Sequence, residues 1–257
     1  MVKKLLYCII LSIFLIATGC SNNDKENQIE ITISAAASLR DALAEIQEKF
    51  ERDQGIKLLF NFGSSGALQK QIEQGAPVDY FISASVDKFQ ALVEQGLMVD
   101  NATQPLLGNE LVLITPVDSS FHSLSFIDLI DDNVTSISIG IPQSVPAGFY
   151  SKEVLENIGI WSNVQSKIIQ SKDVRQVLSY VETGNVDAGI VYYSDAITSN
   201  KIKIVDTADS NLHSPILYKM GVVKTTKFTK ETQTFATFLT SPYAKEVFKK
   251  YGFKMVE

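Results

Sequence analysis

Cysteine is nearly absent from this chain: Cys8 and Cys20 are the only two in 257 residues. Everything after position 20 therefore lacks the means for an internal disulfide or a thiolate metal site. Histidine is as scarce. His122 and His213 stand alone, with no second histidine or paired acid at ligand spacing, so the residues hold no bare metal ion and build no catalytic triad. Arginine occurs three times, at Arg40, Arg52 and Arg175, in a chain of net charge −6. A phosphate backbone needs a dense basic surface, so nucleic acid is not a partner. No Gly-x-Ser-x-Gly elbow and no P-loop occur.

Long apolar runs are also missing, except at the start. The chain opens MVKKLLYCIILSIFLIATGC: a basic pair, an apolar stretch over 5–17, then small residues before Cys20. The stretch is shorter than the roughly 20 residues that a membrane-spanning helix needs, and it reads as a secretory signal. Its end resembles the lipobox of bacterial lipoproteins, with Ala17 where leucine is more usual. The expectation is a lipoprotein signal peptide over 1–19, a lipid attached at Cys20 and a polar tether, SNNDKENQ, through residue 28. The rest would then be held at the outer, extracytoplasmic face of the cell membrane. Loss of Lys3 and Lys4 takes the charge from −6 to −8.

From residue 29 strands and helices alternate. IEITISAAA, IKLLFNF and VDYFISAS read as strands, each followed by a helical stripe. Leu39, Ala42, Leu43, Ile46 and Phe50 mark the first helix, with Ser38 and Asp41 spaced as a capping box. Successive strand–helix units predict a parallel sheet covered by helices. NELVLITP breaks the rhythm, and a second series follows it. The closing helix is interrupted at Ser241-Pro242. The predicted fold class is α/β with two lobes: 29–110 plus 218–257 as lobe I, and 111–217 inserted as lobe II. Strands near 109–116 and 215–223 would cross between them as a hinge, with a ligand in the cleft.

Five places at strand ends and helix starts share one chemistry. Ser38 lies in AAASL, Ser65 in FGSSGAL, Ala147 in VPAGFY, Val174 in SKDVRQ and Tyr192 in GIVYYSD. Each offers hydroxyl or amide donors, none is a cation, and helix N-termini add partial positive charge. Small residues at Ala147 and Gly148 leave the amides bare. Together they describe a neutral pocket for a fully deprotonated tetrahedral anion. Sulfate or molybdate fits. Phosphate, which carries a proton at neutral pH and needs an acceptor, fits less well. Asp173, beside Val174, opposes an anion unless its side chain turns away.

The stretches ISAAASLRDAL, FNFGSSGALQKQIEQGAPVDYFISAS, LLGNELVLITP, VPAGFYSKEVLENIGIW, SKDVRQVLSYVETG and AGIVYYSDA resemble, in order, the molybdate-binding proteins of bacterial ABC transporters. The resemblance runs from about residue 30 to the C-terminus. It implies a type II periplasmic binding protein fold with two hinge-crossing strands and no enzymatic activity or cofactor. It also implies molybdate or tungstate as ligand, and a membrane permease with its ATPase as partners of a monomer. Matched by motif, the oxyanion donors fall on Ser38, Ser65, Ala147, Val174 and Tyr192. The family's Ala-Ser-Ser-Ser is Gly63-Ser64-Ser65-Gly66 here, so Ser64 and Ser65 both stay open as the donor.

Other readings exist. SVDK at 85–88 matches the Ser-x-x-Lys of serine acyltransferases, but SDA and KTT are not the partner motifs Ser-Asp-Asn and Lys-Thr-Gly. The same fold could take sulfate or a larger organic anion. An adhesin or signalling lobe would not need the five donor sites.

Overall fold

The computed structural model describes residues 29–99, 105–121 and 123–256. The expected signal peptide and tether, Cys20 and His122 lie outside them.

Two sheets organise the chain. The first has the order β11-β4-β10-β3-β1-β2, from β1 (Glu30–Ala36), β2 (Lys57–Gly63), β3 (Tyr80–Ser83), β4 (Leu107–Gly108), β10 (Leu217–Val222) and β11 (Lys254–Met255). The second has the order β7-β6-β8-β5-β9, from β5 (Leu111–Pro116), β6 (Ile137–Gly140), β7 (Ile168–Ser171), β8 (Ala188–Tyr192) and β9 (Ile202–Thr207). Each sheet is parallel along one side, β2-β1-β3 in one and β7-β6-β8 in the other, and the remaining strands pair antiparallel. Helices cover both, which makes a two-lobed α/β architecture.

Helix α1 (Arg40–Gln54) turns Ala42, Leu43, Ile46 and Phe50 to the core and stops at Gly55, whose φ of 66° suits a residue without Cβ. Helices α2 (Ser65–Glu73) and α3 (Val86–Glu94) complete the first series. In the second lobe α4 (Pro146–Asn157) and the short α5 (Trp161–Val164) precede β7. Helix α6 (Val174–Glu182) runs between β7 and β8, and the one-turn α7 (Tyr193–Ala196) follows β8. The break at Ser241-Pro242 separates α8 (Thr229–Leu239) from α9 (Pro242–Lys250). Ser241 Oγ accepts the Ala244 N–H at 3.2 Å, and proline takes the first helical position. The C-terminal helices pack on the first lobe. Phe50 meets Phe235 and Phe238 edge-on at 5.2 and 5.3 Å.

Only Asn109 and Glu110 separate β4 from β5, yet the two strands pair in different sheets. The return passage runs from β9 to β10. The passages meet: Leu106 N–H donates to Tyr218 C=O at 3.3 Å, Asn109 N–H to Ile216 C=O at 3.2 Å and Ala208 N–H to Leu111 C=O at 2.9 Å. Two passages, joined by these hydrogen bonds, thus connect the sheets.

Ser85, the serine of the Ser-x-x-Lys pattern, caps α3, its Oγ accepting the Lys88 backbone N–H at 3.4 Å. The spacing that resembles a catalytic motif is helix-cap geometry.

Candidate oxyanion site

Strand β1 ends at Ala36 and leads into a single 3-10 turn, Ala37–Leu39. Ser38 sits inside this turn, not at a cap. The expected capping box is not formed, because Ser38 Oγ lies 2.8 Å from Tyr218 Oη and Asp41 turns to Arg175. Tyr218 Oη also accepts from Asn109 Nδ2 at 3.1 Å. The Asn109 amide is oriented by Glu110 N–H, which donates to Oδ1 at 2.9 Å. Either hydroxyl can donate in the Ser38–Tyr218 bond; where Tyr218 gives its proton to Ser38 Oγ, the Ser38 proton is free to give.

At α2 the two serines divide the work. Ser64 is the cap residue, its Oγ accepting the Ala67 N–H at 3.4 Å. Ser65 is the first helical residue and is fully buried. Its Oγ accepts the Ala84 N–H at 2.9 Å and keeps its own proton as a donor.

Helix α4 starts with Pro146, and Val145 before it supplies no side-chain cap. Ala147, buried at the second helical position, has an N–H without an intrahelical acceptor. Gly148 has a different role from the expected one. A Cβ on it would stand 2.0 Å from Gly140 O, so its smallness seats α4 on the end of β6. At α6, Asp173 is the cap. Its Oδ1 accepts the Gln176 N–H at 2.9 Å, so the carboxylate is turned to the helix that Val174 opens.

Tyr192 ends β8 and is 2% exposed. Its Oη is buried without a hydrogen-bond partner. Burial raises its pKa well above the ordinary tyrosine value, with Tyr218, Tyr150 and Asp195 adding to the effect, so the phenol stays a donor. Tyr193 lies elsewhere, its ring packed against Gly252.

Ser38, Ser65, Ala147, Val174 and Tyr192 all line one cavity of about 10 Å³, together with Ala36, Gly63, Ser64, Ala84, Val145 and Asp173. That is room for a single small species and far below the roughly 300–1,000 Å³ of pockets for drug-sized ligands. No lysine, arginine or histidine lines it among the described residues. No His/Cys/Asp/Glu group able to hold a metal ion occurs among them either.

Several residues around the cavity were not singled out by sequence. Asn109 Nδ2 also donates to Ser194 Oγ at 2.8 Å, tying the strand passage to α7. Arg175, next to Val174, reaches Asp41 of α1 at 2.9 Å and Asp195 of α7 at 3.5 Å. The one available signal was a polar residue within an apolar strand, as at Tyr218 in SPILYKMGVV.

Asp195 is fully buried, and its Oδ2 has no partner. Burial pushes its pKa up to about 7. Arg175 opposes the rise, while Asp41 and Asp173 add to it. A folded value above the unfolded one, near 4, means that the folded state holds the proton more tightly. Stability from this group is present below about pH 4 and is lost as pH rises toward about 7. The melting temperature of Asp195→Asn should lack that part of the decline, and parallel curves for the two proteins would contradict this.

The family model described as bacterial extracellular solute-binding protein matches residues 31–254. A Bacillus subtilis protein, YvgL, whose name assigns it as an ABC transporter substrate-binding lipoprotein, is 50% identical over 256 residues, 98% of each chain. The molybdate-binding protein ModA of Escherichia coli is 36% identical over 243 residues, 91% of this chain and 92% of that one. The sulfate-binding protein SubI of Mycobacterium tuberculosis superposes with a TM-score of 0.79 at 15% identity, covering 89% of this chain and 88% of that one, a likeness of fold. Each of these relatives is named for binding a solute. No helix among the described residues is long and apolar enough to cross a membrane. With its two lobes and its matched length, the chain belongs to the bacterial extracellular solute-binding proteins, as an ABC transporter substrate-binding protein of the ModA type.

Proposed function

We propose that this chain captures molybdate, and tungstate with it, in the cavity between its lobes and delivers it to a membrane permease driven by an ATPase. The observation that carries the reading is the buried Tyr192 hydroxyl, left without a partner in a small cavity shared with four other donor positions. A buried, unpartnered phenol on a residue that lines such a space calls for an acceptor. A dianion that carries no proton matches a donor set whose nearest carboxylate, Asp173, is occupied as a helix cap. The 36% identity to a molybdate-binding protein favours molybdate. Sulfate is the second reading, favoured by the sulfate-binding relative of the same fold.

Lobe I, 29–110 with 218–257, brings Ser38 and Ser65. Lobe II, 111–217, brings Ala147, Val174 and Tyr192. The anion binds one lobe of the open protein and completes its shell when the other closes, so bonds to both lobes favour the closed state. Attachment through Cys20, after loss of 1–19, would hold a monomer beside the permease, and the lipoprotein assignment of YvgL supports this.

Ser38→Ala removes one donor to the anion. The expected cost is about 1.5–3 kcal/mol of binding, roughly 10- to 150-fold in Kd. Because the donors are neutral, Kd for molybdate should change little between low and high sodium chloride. Isothermal titration of both proteins with molybdate reads these effects. Unchanged affinity in the variant would remove Ser38 from the site, and a steep salt dependence would point to a charged surface site instead.

A further inference from the structure

Gly66 stands where the related motif carries a serine, and its backbone does not require glycine, because its φ is not among the positive ones. The reason for glycine lies across the cleft. Gly66 N–H, at the second position of α2 where no intrahelical acceptor exists, donates to the Ser144 C=O at 3.0 Å. Gly66 belongs to the first lobe and Ser144 to the second, just before α4. A Cβ on Gly66 would lie 2.6 Å from Ser144 O and 2.9 Å from Ser144 Cα. Both are backbone atoms, so no rotamer change relieves the overlap. Ser144 is itself held, its N–H donating to Ile141 C=O at 3.1 Å while Val145 N–H donates to the same oxygen at 2.8 Å.

We infer that Gly66 is a positioning residue that sets how far the two lobes close over the bound anion. The inference rests on the oxyanion reading of the cavity. Ser65 adjoins Gly66 and Ala147 lies three residues after Ser144, so the contact sits beside one donor from each lobe. Any added width there draws these two donors apart. The Gly66 amide acts on the anion only through this contact, because its proton is already given to Ser144.

Two measurements on the full-length fold test this. In Gly66→Ala, Kd for molybdate by isothermal titration should rise at least tenfold. The anion-free melting temperature should equal or exceed that of wild type, because alanine favours the helix and the open form lacks the overlap. In the wild-type protein, hydrogen exchange of the Gly66 amide should slow when molybdate is added, a readout that needs no variant. A Kd within twofold of wild type, a lowered anion-free melting temperature, or Gly66 exchange indifferent to molybdate would each overturn the inference. Failure of the wild-type protein to bind any tetrahedral anion would instead overturn the reading of the cavity itself.

Discussion

Ser65→Ala is expected to weaken molybdate binding by about one to two orders of magnitude and to destabilise the fold at the same time. The two effects have separate causes. The Ser65 hydroxyl accepts the Ala84 N–H at 2.9 Å in a fully buried position. Its removal leaves that N–H unpaired, which costs about 1–3 kcal/mol of stability. On the proposed reading its own proton is given to the anion, and a hydrogen bond to a charged group contributes about 1.5–3 kcal/mol. Ser64→Ala makes the contrast. It loses a cap interaction, worth about 1 kcal/mol of stability, and should weaken binding less than Ser65→Ala does. Thermal melts and titrations of the two variants check both halves. A larger binding loss in Ser64→Ala would exchange their roles.

Gly148→Ala should harm both folding and binding although it removes no donor. The added Cβ would lie 2.0 Å from Gly140 O and 2.4 Å from Gly140 C, and neither atom can rotate away. The start of α4 must lift from the end of β6. Overpacking of this kind costs about 1–3 kcal/mol, which lowers the melting temperature of a chain this size by roughly 3–10 °C. Ala147 precedes Gly148, so its N–H moves with the helix and the anion loses a donor on the second lobe. A Kd at least tenfold higher is expected. A variant that melts and binds like wild type would show that α4 does not need this seat.

Much of this was legible in the residues because it is local. The strand–helix alternation follows from short patterns such as the Leu43, Ile46 and Phe50 stripe, and the five donor positions stand where α/β chains place strand ends and helix starts. Pro146 announces its helix in the same way, whereas the capping role of Asp173 shows only in the structure. What sequence did not reveal depends on distant partners. Ser38 reads as a cap until Tyr218, 180 residues away, takes its hydroxyl. Arg175 and Asp41 are 134 residues apart. Asn109 links Ser194 and Tyr218 only after the two passages between the sheets have formed. Gly66 and Gly148 are further cases. Small size was visible, but the backbone that each approaches lies on another element, and only the packed structure shows which amide is free and which is already bonded.

The central claim is that neutral donors from two lobes enclose an unprotonated tetrahedral dianion. Its most direct test is isothermal titration of the chain from residue 29 onward with molybdate, tungstate, sulfate and phosphate under one buffer condition. The account predicts tight, saturable binding of molybdate and tungstate at one site per chain, with sulfate weaker and phosphate weakest. Absence of binding by all four anions, or phosphate bound as tightly as molybdate, would contradict it.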